Sequence, residues 1–245
     1  MRDEAIKVVE RWWSPRLGQQ LTVARWGHYG TPVVLFPTAG GDAEEIEREG
    51  LLGSVWALVE SGTIKVYSVD SIAGRALATR DGSTKHRMWL FNQFHQAIEA
   101  EVVPAIHADS GGPVPIITAG ASIGAFNALA CVCRYPHLFS SAVCMSGTFD
   151  LEAFLGDLND DLYFSSPLSF LPSLEGPQLD LLRERFVVLA AGTGRWEDIN
   201  ESWRMASVLG DKGIPNRVDD WGPTFDHDWP TWRQMLPLYL DQLTG

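Results

Sequence analysis

Short apolar and β-branched runs alternate along this chain with longer segments in which apolar residues recur every three or four positions. A run such as Val33-Val34-Leu35-Phe36 suits a strand buried on both faces, whereas the wider spacing gives a helix one apolar stripe. Their alternation predicts an α/β domain with a mostly parallel sheet. Eight strands are expected, over residues 8–13, 21–26, 33–36, 64–69, 115–119, 141–145, 186–191 and 218–221. Ser14-Pro15-Arg16-Leu17-Gly18 leaves only a short connection between the first two, which should pair as an antiparallel hairpin. Helices are expected over 88–108, 123–134, 199–209 and 229–243. Gly213 follows the third as a stop signal, Pro230 is tolerated in the first turn of the fourth, and Pro237 should kink it. Between 149 and 185 the pattern breaks into short clusters punctuated by Pro167, Pro172 and Pro177, too irregular for another strand-helix-strand unit. That stretch reads as a lid-like insertion over one end of the sheet. No repeat or linker divides the chain, so residues 1–245 are expected to form a single domain.

Charge narrows the function. With 31 acidic against 19 basic residues the formal net charge is −12, which argues against nucleic-acid binding through phosphates and against a basic membrane-surface protein. Met1-Arg2-Asp3-Glu4 opens no apolar signal core, and no uninterrupted apolar run approaches the length of a membrane span. A soluble, cytoplasmic protein is expected. Three cysteines, Cys131, Cys133 and Cys144, are too few for a disulfide framework and read as buried thiols. The histidines have no metal-ligand spacing, and Asp157, Asn159 and Asp161 resemble a calcium loop only until Leu162 takes the place of its glycine. No metal and no cofactor is implied.

The candidate chemistry starts at Gly120-Ala121-Ser122-Ile123-Gly124, a G-x-S-x-G string. The string alone is weak, but it follows an expected strand and opens an expected helix, the setting in which a serine sits on a tight, strained elbow. Small residues at 120, 121, 124 and 125 let the backbone fold back. The elbow also puts Ser122 at a helix N-terminus, which favours the negative charge that develops on an attacked carbonyl oxygen.

A serine hydroxyl needs a histidine base, itself oriented by a carboxylate, and in this setting acid and histidine follow the serine in that order. Of the two histidines beyond Ser122, His137 falls at the opposite end of the sheet, and His227 lies in the loop after the last strand. His227 is therefore the expected base. Glu197 and Asp198 both follow the strand at 186–191, and Asp150 follows the one at 141–145. Spacing cannot choose between the first two. Asp226 and Asp228 flank His227 and point away from it, suiting the turn and the helix cap. The oxyanion hole should draw one backbone N–H from Ile123 and another from Ala39, or else Thr38, in the small-residue loop after the third strand.

These residues resemble the putative-esterase branch of the α/β-hydrolases, an esterase D-like family that includes S-formylglutathione hydrolase-like enzymes, feruloyl esterases and mycolyltransferases. The resemblance spans nearly the whole chain, through Phe36-Pro37-Thr38-Ala39-Gly40-Gly41-Asp42, the Ser122 elbow, Met145-Ser146-Gly147, Tyr163-Phe164-Ser165-Ser166-Pro167 and Trp221 through His227-Asp228-Trp229 to Trp232. It implies the α/β-hydrolase fold and a serine esterase without cofactor, and by position it favours Glu197 as the acid. Isoleucine follows the serine where the family often has methionine or phenylalanine, implying a different pocket floor. Residues 193–198 also depart from the family's Gly-x-x-Asp form.

The expected function is thus a serine carboxylesterase acting on small acyl esters through Ser122, Glu197 and His227. Acyl transfer or peptide hydrolysis would use the same triad, and a non-catalytic hydrolase-like binding protein is the rival outside enzymology. The expected partner is a small-molecule ester rather than nucleic acid or membrane, with self-association into a homo-oligomer left open. In the blander readings Ser122 merely caps a helix, His227 serves a turn, and the tryptophans near the site only pack.

Overall fold

The computed structural model describes residues 6–156 and 159–245, so residues 1–4 and Asp157 of the stretches noted above lie outside it. Eight strands form one sheet: β1 (Lys7–Ser14), β2 (Gln19–Trp26), β3 (Thr31–Phe36), β4 (Ile64–Val69), β5 (Ile116–Ala121), β6 (Phe139–Met145), β7 (Phe186–Ala191) and β8 (Asn216–Asp220). Their order across the sheet is β1-β2-β4-β3-β5-β6-β7-β8. As the short Pro-Gly connection requires, β1 and β2 pair antiparallel, with Lys7 opposite Trp26; β2 also runs antiparallel to β4, and every later pairing is parallel. This open, mostly parallel sheet flanked by helices is the α/β-hydrolase architecture.

Alternate side chains of the central strands feed two separate cores, as a two-residue repeat demands. On one face Val34 and Phe36 of β3 pack with Phe91, Phe94, Phe126 and Met205. On the other, Val33 and Leu35 meet Ile46, Leu51, Met235 and Leu240. Fully burying a side chain such as Phe126 is worth about 1.5–3 kcal/mol, so the two layers supply the main stabilisation.

The helices are α1 (Glu45–Arg48), α2 (Leu51–Ser54), α3 (Trp56–Glu60), α4 (Ile72–Thr79), α5 (Thr84–Ala97), α6 (Val103–Asp109), α7 (Ile123–Arg134), α8 (Glu152–Leu155), α9 (Asp160–Ser165), α10 (Pro167–Phe170), α11 (Pro177–Leu182), α12 (Ile199–Asp211) and α13 (Trp229–Thr244). Three differences from the sequence expectations have physical causes. The helix expected over 88–108 starts at Thr84, where the Ser83 hydroxyl accepts from the His86 N–H, and a π-helical turn at Ile98–Val102 joins α5 to α6. Helices α1–α4 are too short for a helical period to register against the surrounding loops. Strand β8 begins two residues early, at Asn216 and Arg217, because an edge strand can carry polar side chains to solvent.

Helix α7 is buried on nearly all sides, which explains its mostly apolar composition. Cys131, Cys133 and Cys144 are free and buried, and burial pushes their thiols well above the ordinary range. The described part of 149–185 is a chain of short helices. Asn159 caps α9 through the Leu162 N–H, and Asp161 accepts from Asn92, so both have structural partners. Among the described residues, no helix is long and apolar enough to cross a membrane and no group of three or more His, Cys, Asp or Glu could hold a metal ion.

Candidate active site

The loops that leave the C-terminal ends of β3, β5, β6, β7 and β8 meet at one rim of the sheet, where ligands bind in open α/β folds. Ser122 directly follows β5 with φ 56° and ψ −122°, a conformation costing a non-glycine residue about 1–3 kcal/mol. Glycine explains how the turn closes: a Cβ at Gly120 would strike the backbone of Gly124, and one at Gly124 would strike the Phe36 carbonyl oxygen. Neighbouring backbone holds the strained residue in place. The Ser122 N–H donates to Met145 O at 3.0 Å, and Ser122 O accepts from Thr148 N at 3.3 Å. Its hydroxyl caps no helix and, among the described residues, is bonded to neither α7 nor His227.

Ile123 is the first residue of α7, so its N–H has no intrahelical acceptor. It lines, with Ser122, Ala39 and Thr148, a cavity of about 590 Å³. Thr38, the alternative donor, is already committed. Its N–H and its hydroxyl donate to the two oxygens of Glu45 at 2.7 and 2.8 Å, whereas Ala39 lines the cavity. Burial raises the Glu45 carboxyl above its usual range, and the two Thr38 bonds work against that rise.

Glu197 and His227, thirty residues apart, are brought together by two zipped loops. Thr193 N donates to Gly222 O, Gly194 N to Phe225 O at 3.1 Å, and His227 N to Arg195 O at 3.0 Å. The glycines are required here too, since a Cβ at 192 or 194 would collide with the Phe225 carbonyl. His227 Nδ1 lies 3.5 Å from Glu197 Oε2, with the carboxylate side chain 1% exposed and the imidazole 24%.

The other carboxylates are occupied elsewhere. Asp198 caps α12 through Asn200 N, and Asp150 pairs with Arg204 at 2.5 Å. Asp226 binds Arg195, and Asp228 caps α13 through Thr231 N. His137 is exposed just before β6, at the sheet end away from Ser122.

Two residues were given no role at this site by the sequence reading. Ser146 follows β6 with φ 47°, and its hydroxyl donates to Glu197 Oε1. Trp232 of α13 donates its indole N–H to Ser146 Oγ at 2.9 Å and sets its ring edge-on to His227, centroids 5.2 Å apart. A serine and glycine directly after a buried strand were the available signal for the first. Trp232 stood out only as one of the tryptophans near the site, where packing was its expected role, and nothing in the sequence pointed to its hydrogen bond.

The family model described as Putative esterase matches residues 60–242, about three quarters of the chain. The chain belongs to that esterase family. It is accordingly a hydrolase, built on the family's fold. Comparison with curated protein sequences gave no match. Among solved structures this esterase is similar to a ferulic acid esterase, with a TM-score of 0.74 at 16% identity over 98% of each chain. It is also similar to an S-formylglutathione hydrolase from Agrobacterium tumefaciens, TM-score 0.72, 14% identical over 99% of this chain and 98% of that one. A fluorophosphonate-binding serine hydrolase of Staphylococcus aureus matches with a TM-score of 0.60, 13% identical over 98% of each chain.

Proposed function

We propose that this esterase is a serine carboxylesterase for small acyl esters, with Ser122 as nucleophile, His227 as base and Glu197 as the acid. The observation that carries the reading is the Glu197–His227 pair, whose buried carboxylate faces Nδ1 at the sheet rim where Ser122 also sits. With Nδ1–H held by Glu197, Nε2 is left as the free base. Nε2 takes the proton of the Ser122 hydroxyl as the oxygen attacks the ester carbonyl. The oxyanion then accepts from the Ile123 and Ala39 N–H groups. Collapse expels the alcohol with the proton from His227, and water repeats the sequence on the acyl-enzyme. The cavity of about 590 Å³ at Ser122 suits a small ester.

Ser122→Ala should lower kcat on p-nitrophenyl acetate by about three orders of magnitude or more, with an unchanged circular dichroism spectrum. A fluorophosphonate should label the wild type stoichiometrically and the variant not at all. An undiminished rate in the variant overturns the proposal.

A further inference from the structure

The cavity at Ser122 is lined by two arginines that the esterase reading does not use. Arg80 closes the C-terminus of α4 and Arg87 lies in the first turn of α5; both line the cavity together with Ser122 and Ile123. Its other walls include the apolar Leu77 and Phe154, and no acidic side chain lines it among the described residues. Neither arginine forms a salt bridge among the described residues. Arg87 donates only to uncharged acceptors, Gly82 O at 2.9 Å and Thr84 Oγ1 at 3.2 Å, which orient its fork and leave its charge uncompensated. Arg80 occupies a left-handed turn, φ 56° and ψ 34°, where glycine would be at ease. A chain of net charge −12 therefore places two unpaired cations beside its candidate nucleophile.

We infer that Arg80 and Arg87 form an anion subsite that selects esters carrying a carboxylate remote from the scissile carbonyl. Planar guanidinium groups match a carboxylate with paired, charge-assisted hydrogen bonds. The apolar wall of Leu77 and Phe154 suits the methylene spacer between the two ends of such a molecule. The surrounding negative charge makes this pocket the local sink for small anions that the rest of the surface repels. The assignment rests on the proposed role of Ser122 only for the direction in which the ester is presented.

Two isosteric pairs test it, one on each side of the ester: monomethyl adipate against methyl hexanoate, and 4-acetoxybutyrate against pentyl acetate. In at least one pair kcat/KM should favour the anion by about tenfold or more, and Arg80→Gln/Arg87→Gln should remove that preference. Arg80→Lys/Arg87→Lys should retain part of it, and 0.5 M salt should shrink it in the wild type. In parallel, calorimetric titration of Ser122→Ala with monomethyl adipate and 4-acetoxybutyrate reads binding without turnover. At least one affinity should fall about tenfold or more when both arginines become glutamine. Arginine-dependent binding with no turnover of any ester sinks the esterase proposal and leaves the anion subsite standing. Turnover of both pairs without preference, or binding indifferent to the arginines, overturns the subsite and leaves the esterase proposal intact.

Discussion

The indole N–H of Trp232 donates to Ser146 Oγ at 2.9 Å, and through that bond a tryptophan on α13 fixes what a serine after β6 can do. With one lone pair taken by the indole, the Ser146 proton goes to Glu197 Oε1, leaving Oε2 for His227 Nδ1. Ser146 and Trp232 are both buried, so removing the Ser146 hydroxyl leaves the indole N–H unpaired away from water. In Ser146→Ala both the indole N–H and Glu197 Oε1 lose a partner, whereas in Trp232→Phe the Ser146 hydroxyl keeps its bond to Glu197. Ser146→Ala should therefore lose about 1–3 kcal/mol in urea melts and about tenfold in kcat/KM, with an altered pH-rate profile. Trp232→Phe should lose less of each.

Glu197→Gln and Asp198→Asn separate the proposed acid from its sequence neighbour. An amide in place of Glu197 presents the wrong group to Nδ1 and should cost about three to four orders of magnitude in kcat. Asp198→Asn keeps a competent cap on α12 and should stay within about threefold in rate and within about 0.5 kcal/mol in stability. Both are read from ester kinetics and chemical denaturation; equal losses would return Asp198 to candidacy.

Glu45 fixes the loop after β3 by accepting both Thr38 donors. Glu45→Ala frees that loop and blurs the position of the Ala39 amide, which matters most once the carbonyl oxygen has become an oxyanion. Steady-state kinetics should show kcat falling by about tenfold to a hundredfold with KM little changed.

Gly124→Ala places a methyl group against the Phe36 carbonyl, whereas a Cβ at Gly40 meets nothing within 4 Å. The first substitution should lower stability by about 1–3 kcal/mol and cut activity by displacing the elbow from the β3 loop. Gly40→Ala should stay within about 0.5 kcal/mol of wild type, and thermal melts of the pair give the comparison.

His95 is buried beneath α7, where burial, and then the Arg134 guanidinium at 3.3 Å, lower its pKa from an ordinary 6.5 to about 3. Its hydrogen bond with Asn127 Oδ1 at 3.0 Å opposes that shift. The unfolded chain thus takes up a proton here between pH 6.5 and about 3 that the folded chain refuses, so this contribution to stability is intact above pH 6.5 and drains as pH falls. His95→Gln should flatten the loss of stability between pH 6.5 and 4.5 by up to about 1.4 kcal/mol per pH unit, read from urea melts across that range.

The order of elements and the position of Ser122 were legible in the chain because they depend on near neighbours. A two-residue or three-to-four-residue apolar period sets a strand or a helix, and glycines at 120 and 124 mark the elbow between them. His227 could be singled out because few histidines follow the serine. The neighbour relations at the rim depend instead on which strand ends adjoin, and that order, β5-β6-β7-β8, is created only when the sheet assembles. Assembly gave Glu197 to His227, set Thr38 against Glu45, and brought Ser146 under Trp232 across 86 residues. Periodicity carries the sign of burial for each residue, but a hydrogen-bond partner is a property of three-dimensional proximity, and it was fixed here by packing rather than by spacing.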